Sequence, residues 1–206
     1  MSTLRQGRYG NYYGCRFWES DYLTEEQQQV NALYIYSYFK HEGWSDEAIA
    51  GILGNMQAES TLNPGCWQSH IVGNYDGGYG LVQWTPASNY IDWCETLIED
   101  IDNQLDRIMY ELNNGLQWIS TRAYPMSFKA FTKSTKSPAT LASAFLKNYE
   151  RAGVEVEDTR RTNANNWYKY LTNKEPAEPE GPGGSGGGIT FKKKKRFKFY
   201  LFRKVI

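Results

Sequence analysis

The sequence predicts a mainly α-helical domain with a small β-hairpin or loop region after its second helix. Three observations lead to this class. Apolar residues recur at helical spacing in several segments, capping residues stand where these segments begin, and one glycine- and asparagine-rich region follows neither a helical nor a strand period. The 206 residues suit one domain of ordinary size with an extension.

The first helix is predicted to begin after Thr24, which forms a capping box with Gln27, and to run to about His41. Its inner face is assigned to Val30, Leu33, Tyr34, Ile35 and Tyr38. An irregular arm rich in glycine, tyrosine and arginine precedes it over residues 1–21.

The second predicted helix carries one carboxyl group in an unusual position. Ser45 is predicted as its N-cap, and the Asn63-Pro64-Gly65 turn as its end. A buried stripe follows at Ile49, Ile52, Leu53 and Met56. Glu59 continues this stripe, so we expect it to point inward among apolar side chains, at the negative end of the helix dipole. Both conditions favour a protonated carboxyl, which is what a general acid requires. The alternative is a frayed helix end, with Glu59 turned towards water.

The region between Thr61 and Tyr79 is predicted to be a short hairpin or a long loop. It leads into a Gly-Tyr-Gly-Leu-Val-Gln-Trp sequence at residues 78–84, where glycine permits close backbone approach. Gln83 would then orient a water molecule or an acetamido group, and Trp84 would stack on a sugar. The aromatic content of 16% fits sugar stacking, but it fits equally an aromatic core in which Trp84 is buried and Gln83 lies on a turn.

Further helical segments are predicted at residues 87–99, 103–113, 140–151 and 165–171. The proline- and glycine-rich segment 174–188 is typical of a linker. The globular domain is therefore assigned to residues 22–173.

A basic, aromatic tail follows the linker at residues 189–206. It holds eight of the 23 basic residues and none of the 23 acidic ones, so the remainder of the chain is acidic and does not favour nucleic-acid binding. We expect the tail to form a strand that docks on a partner. The alternatives are an electrostatic tether to an anionic polymer, such as teichoic acid or nucleic acid, and a solvated tail.

The few cysteines and histidines limit the chemistry. The three cysteines, Cys15, Cys66 and Cys94, do not form a disulfide framework. We expect buried free thiols; the alternative is a Cys66–Cys94 pair in an oxidising compartment. No Cys/His cluster has zinc-site spacing, so neither a metal nor a cofactor is expected. Cys66 with His70 is an alternative as a nucleophile–base pair. The sequence shows no secretory signal and no apolar run long enough to span a membrane.

The order of the Glu59 helix and the following turn resembles the lysozyme superfamily. In goose-type lysozymes and lytic transglycosylases a catalytic glutamate ends a helix, and a loop leads to a Gly-Leu-Met-Gln-like turn, which here reads Gly80-Leu81-Val82-Gln83. A closer resemblance is to the phage tail lysozyme domain. It rests on residues 54–61, 63–65, 67–68, 80–90, 133–136 and 148–151. The resemblance covers roughly residues 22–171 and implies a mainly α, α+β lysozyme-like fold.

The resemblance implies a site centred on Glu59 as proton donor. Gln83 and Trp84 would line the cleft, and Tyr149 would stand where lytic transglycosylases place a tyrosine beside the catalytic glutamate. The expected substrate-binding residues are Tyr79, Trp84, Asn148 and Tyr149.

The second acid of the site is less evident. Glycosidic cleavage normally uses two carboxyl groups, and Asp46 and Glu47 lie too far back along the helix. Asp76, in the glycine-rich loop, is the nearest candidate, and Gln83 is a candidate for positioning water. The favoured alternative is that Glu59 acts alone, with the N-acetyl group of the substrate assisting.

The implied function is that of a glycosidase of the lysozyme (muramidase) type. It would cleave peptidoglycan between N-acetylmuramic acid and N-acetylglucosamine at a phage tail tip during entry, delivered by the virion without a signal peptide. Its expected partners are peptidoglycan and, through residues 189–206, other tail proteins, with no specific nucleic acid. Relatives can carry a metal-dependent peptidase after such a linker, which residues 189–206 are too short to form. The alternatives are a lytic transglycosylase giving 1,6-anhydro products, an endolysin for release, and a non-catalytic glycan-binding plug.

Overall fold

The computed structural model describes residues 1–151 and 156–180, and within them the fold is mainly α-helical, as predicted. The helices are α1 (Glu25–His41), α2 (Asp46–Ser60), α3 (Ser88–Ile91), α4 (Ile101–Asn114), α5 (Phe128–Thr132), α6 (Pro138–Phe145) and α7 (Glu157–Leu171). None of these helices combines the length and the apolar character that a bilayer-spanning segment requires.

The N-terminal residues form a hairpin and not the irregular arm that was expected. Strand β1 (Thr3–Gly7) pairs antiparallel with β2 (Gly10–Gly14). Two residues connect the strands, and Gly10 follows them with a φ of +104°, a conformation that costs glycine little. The hairpin is fixed to α1 by Asn31, whose side chain accepts from the Tyr13 amide and donates to the Tyr13 carbonyl, both at 2.7 Å.

Helices α1 and α2 begin where the capping residues predict. Thr24 and Gln27 form the capping box of α1, and the Ser45 hydroxyl accepts from the amide of Ala48 at 3.2 Å. The predicted inner face of α1 is wrong at Val30, which is 36% exposed. Helix α2 lies in the centre of the fold and is buried along most of its length.

Helix α7 packs closely on α2 because small residues line their contact. A side chain at Gly54 would place its Cβ 2.5 Å from the carbonyl oxygen of Arg160 and 2.8 Å from the amide nitrogen of Ala164. This approach brings the Arg160 side chain to the C-terminal end of α2. Helix α7 begins at Glu157, eight residues earlier than the predicted segment.

The region after α2 is a long loop, one of the two predicted possibilities. Its only strand-like pairs in the described residues are two isolated bridges, Trp67 with Tyr79 and Tyr79 with Trp84. The predicted helix at 87–99 is reduced to α3, because the chain then folds back and the Tyr90 hydroxyl donates to the carbonyl of Ile98 at 2.9 Å.

The C-terminal part of the predicted 140–151 helix changes its winding. Helix α6 continues as a π-helical turn over Leu146–Glu150, which ends at Arg151 with a φ of +51°. The cysteines at 15, 66 and 94 are buried free thiols. The basic tail at 189–206 and the second half of the linker lie outside the described residues.

Candidate active site

A cleft of about 960 Å³ lies beside the C-terminal end of α2. Its walls come from the loop after α2, the turn at residues 82–85, helix α4, the π-helical turn and helix α7. Its acidic lining residues are Glu59, Glu111 and Glu150, and its basic ones are Arg107, Arg151 and Arg160. The cleft is polar and large enough for a sugar-sized ligand.

Glu59 lines this cleft, one residue before the end of α2. The helix ends earlier than predicted, because Thr61 adopts a left-handed conformation with a φ of +53°. The Glu59 side chain is 20% exposed, and its Oε1 lies 2.6 Å from Nη2 of Arg160. The expected apolar surroundings of Glu59 are therefore wrong, since the packing of α7 on α2 supplies a guanidinium partner.

Arg160 contacts a second carboxyl group, that of Glu150. Its Nη1 lies 3.0 Å from Oε2 of Glu150, whose side chain is only 5% exposed. Neither oxygen of Glu150 accepts a well-aligned hydrogen bond from the described residues. Burial raises the pKa of Glu150 well above its usual range, and the nearby charge of Glu59 raises it further, whereas Arg160 opposes both. The surroundings of Glu150 thus favour the protonated form of this acid.

A second buried ion pair lines the cleft. The carboxylate of Glu111 is 2% exposed and lies 2.8 Å from Nε of Arg107. It also accepts from Trp84 Nε1 at 3.1 Å and from the Tyr149 hydroxyl. Burial raises the pKa of Tyr149 well above its usual value, and the charge of Glu111 adds to the effect. Three donors, one of them charged, compensate the burial of this carboxylate.

Gln83 lines the cleft, and its side-chain nitrogen stabilises the turn at residues 80–83. It donates to the carbonyls of Cys66 and Gly80, both at 3.0 Å. Trp84 also lines the cleft but is only 4% exposed, because its ring stacks on Tyr90 with centroids 4.7 Å apart. This is the buried alternative for Trp84, and its ring is not open for a sugar to stack on.

Three other predicted site residues do not present a free side chain to the cleft. Tyr79 is fully buried and packs on Trp67 with ring centroids 4.6 Å apart. Tyr149 lines the cleft but is 1% exposed. Asn148 is buried and does not line the cleft, since its side chain accepts from the amide and hydroxyl of Thr121 at 3.0 and 2.7 Å.

Asp76 is exposed on the loop and is not among the residues that line the cleft. The structure therefore does not bring this candidate second acid together with Glu59. No group of three or more His, Cys, Asp or Glu side chains within residues 1–151 and 156–180 could hold a metal ion.

Sequence reasoning missed the roles of Glu150, Arg160 and Glu111. Glu150 belongs to the motif at 148–151, which marks the segment but not the burial of its side chain. Glu111 follows Arg107 by four residues, a spacing that predicts an ion pair on one helix face but not its position in a cleft. Arg160 had no local signal, because its partners lie 101 and ten residues away in the chain.

Comparison with known proteins bears on the chain as a whole. A family model described as phage tail lysozyme matches residues 30–171, which include Glu59, Glu111, Glu150 and Arg160. The chain is also 49% identical over 156 residues to "Morphogenesis protein 1" of Bacillus phage B103. That match covers 74% of this chain and 42% of the relative, so the chain spans less than half of the relative's length. The match to the family model confirms the resemblance seen in the sequence, and the chain belongs to the phage tail lysozyme family.

Proposed function

We propose that the chain cleaves the β-1,4 bond between N-acetylmuramic acid and N-acetylglucosamine in peptidoglycan. The family supports a lysozyme-type role in a phage, and one observation carries the assignment of the site. Glu59 stands at the end of α2, partly exposed, in a cleft of about 960 Å³. A carboxyl that is held by a partner and still reaches a cleft is suited to general acid–base catalysis.

Glu59 would first donate a proton to the oxygen of the leaving sugar and then, as a carboxylate, accept a proton from the attacking water. The other acidic residues that line the described cleft, Glu111 and Glu150, are almost fully buried and engaged by arginines. They cannot approach the sugar as a nucleophile would. This favours Glu59 as the single acid in direct contact with substrate, with the N-acetyl group of N-acetylmuramic acid assisting as an internal nucleophile.

We further propose that the activity opens the cell wall locally during phage entry, and that the protein acts at the tail tip as part of the virion. The support is the family and the phage relative, whose name describes a role in morphogenesis. Peptidoglycan would be the substrate, and other tail proteins would be partners through residues 189–206.

The test is clearing of purified cell walls, followed by mass spectrometry of the released fragments. The wild-type protein should lower the turbidity and release glycan fragments with new N-acetylmuramic acid ends, while the peptide stems remain intact. Glu59→Gln should abolish clearing and keep the same circular dichroism spectrum. Asp76→Asn is the matched control and should clear normally, because Asp76 lies outside the cleft. Equal clearing by Glu59→Gln and wild type would disprove the assignment.

A further inference from the structure

We propose that Glu150 stores the proton that Glu59 delivers, so that these two carboxyls and Arg160 work as one proton-sharing unit. The proposal rests on the proposed role of Glu59 as general acid. It assigns Glu150 as a positioning residue, since its own side chain is too deeply buried to reach the sugar.

The geometry places two acids on one fixed cation. Arg160 points one terminal nitrogen at Glu59, at 2.6 Å, and the other at Glu150, at 3.0 Å. The Arg160 side chain is 7% exposed, so water screens this cluster little. Two ionised carboxyls would leave one negative charge uncompensated in a buried place, which is costly. One proton shared by the pair makes the cluster neutral.

Glu150 is the acid that holds this proton at rest. It is the more deeply buried of the two and has no well-aligned hydrogen bond to stabilise a carboxylate within the described residues. Within residues 1–151 and 156–180, the charged groups that face it are Glu59 from α2 and Arg160 from α7. Burial and Glu59 together raise the pKa of Glu150, and this exceeds the opposing effect of Arg160. Its place at the end of a π-helical turn fits a functional role, because such turns are frequent at functional sites.

The proton then moves in two steps when a glycosidic oxygen lies against Glu59. The side chains of Glu150 and Glu59 interact directly, so the proton passes from the Glu150 carboxyl to the Glu59 carboxylate, and Glu150 becomes the carboxylate that Arg160 neutralises. Glu59 gives the proton to the leaving oxygen as the bond between that oxygen and the sugar breaks. The water that completes hydrolysis returns a proton to Glu59, and from there to Glu150, so that the unit regains its resting state.

The first test is the pH dependence of cell-wall cleavage by Glu150→Gln. Glutamine resembles the neutral acid in shape and should fold normally, but it cannot release a proton. Glu59 is then the one carboxylate within the described residues that pairs with Arg160, and it must take its proton from solvent because no neighbouring acid can supply one. We expect cleavage near neutral pH to fall at least tenfold, a modest part of the roughly 10²–10⁴-fold that general acid–base catalysis contributes. The pH optimum should move to the acid side by about one unit or more.

The matched control for this variant is Glu157→Gln. Glu157 is also ion-paired, with Lys147 and Arg161, but it lies outside the cleft. It should leave both the rate and the pH optimum unchanged. An unchanged rate and pH optimum for Glu150→Gln would overturn the proposal.

The second test does not depend on activity. Carbon-13 NMR of the glutamate carboxyl groups would follow the titration of Glu150 in the wild type and in Glu59→Gln. We expect Glu150 to be protonated at pH 6 in the wild type and to titrate at lower pH once Glu59 carries no charge. An ionised Glu150 at pH 6, or a titration that ignores the Glu59→Gln change, would overturn the shared proton. If the titrations behave as expected but the wild type cleaves no cell wall, the proposed function fails while the proton pair stands.

Discussion

Arg160 offers the sharpest test of the energetics of the site. The Arg160→Met variant keeps most of the apolar stem and removes the guanidinium that contacts Glu59 and Glu150 at 2.6 and 3.0 Å. It also removes a longer hydrogen bond to the carbonyl of Asn55, at 3.4 Å. The variant leaves two facing carboxyls with no cation between them.

The size of the effect follows from burial. Removing one partner of a buried ion pair costs about 3–5 kcal/mol. We expect the lower end, about 3 kcal/mol at pH 7, because burial favours the neutral form of Glu150 and the Glu59 side chain is 20% exposed.

The cost should depend on pH in a definite direction. Without Arg160 nothing opposes the burial and the Glu59 charge that raise the pKa of Glu150 in the folded protein above its value in the unfolded chain. Stability is therefore lost as the pH rises above the unfolded value of about 4.3. At pH 4 both states are largely protonated, and the cost of Arg160→Met should fall to about 1 kcal/mol, which is the value of the lost hydrogen bond.

The assay is urea denaturation followed by circular dichroism at pH 4 and pH 7. Arg161→Met is the matched control. Arg161 follows Arg160 in the chain, but its side chain is 43% exposed and makes an ion pair of 3.6 Å with Glu157. Such a surface pair is worth less than about 1 kcal/mol. The reasoning would be refuted if both variants lost equal stability, or if the Arg160→Met cost were the same at the two pH values.

Two further variants test the packing of α7 on α2 and the hydrogen bond from Tyr149 to Glu111. Gly54→Ala should lower stability by about 1–3 kcal/mol, seen as a lower urea midpoint, because the added Cβ would meet the backbone of Arg160 and Ala164 at 2.5 and 2.8 Å. Tyr149→Phe should cost about 1.5–3 kcal/mol and lower the melting temperature, because it removes a buried donor to the Glu111 carboxylate.

For each of these variants, one result would contradict the expected loss of stability. An unchanged urea midpoint for Gly54→Ala would mean that α2 and α7 can separate without cost. For Tyr149→Phe the control is Tyr13→Phe. The Tyr13 hydroxyl has no hydrogen-bond partner in the described residues, so its removal should leave the melting temperature nearly unchanged. Equal effects of the two tyrosine variants would show that the bond to Glu111 contributes nothing.

The sequence predicted the helices that begin with strong local signals. The Thr24 capping box and the Ser45 cap depend on residues three positions apart, and the structure has both. Residues 1–21 carry no alternating apolar pattern, so their hairpin was not foreseen. It depends on contacts such as that of Tyr13 with Asn31, 18 residues away.

In the candidate site, too, local sequence signals could be predicted and contacts between distant residues could not. Glu59 could be singled out because its own helix places it at the end of an apolar stripe. Its partners could not, since Glu150 and Arg160 reach it only when α6 and α7 pack on α2. The aromatic residues were assigned to the site wrongly. Tyr79 and Trp84 have the right chemistry to bind a sugar, but their rings pack against other aromatic rings in the core.

The position of Arg160 in the chain has a consequence for synthesis. Ribosomes produce the N-terminal residues first, so Glu59 emerges about a hundred residues before the arginine that will pair with it. A nascent chain that ends before α7 lacks both this counter-ion and the helix that covers Gly54. The proposed acid–base site is therefore among the last features to form, and a shortened product that stops ahead of residue 160 would carry Glu59 without its arginine partner.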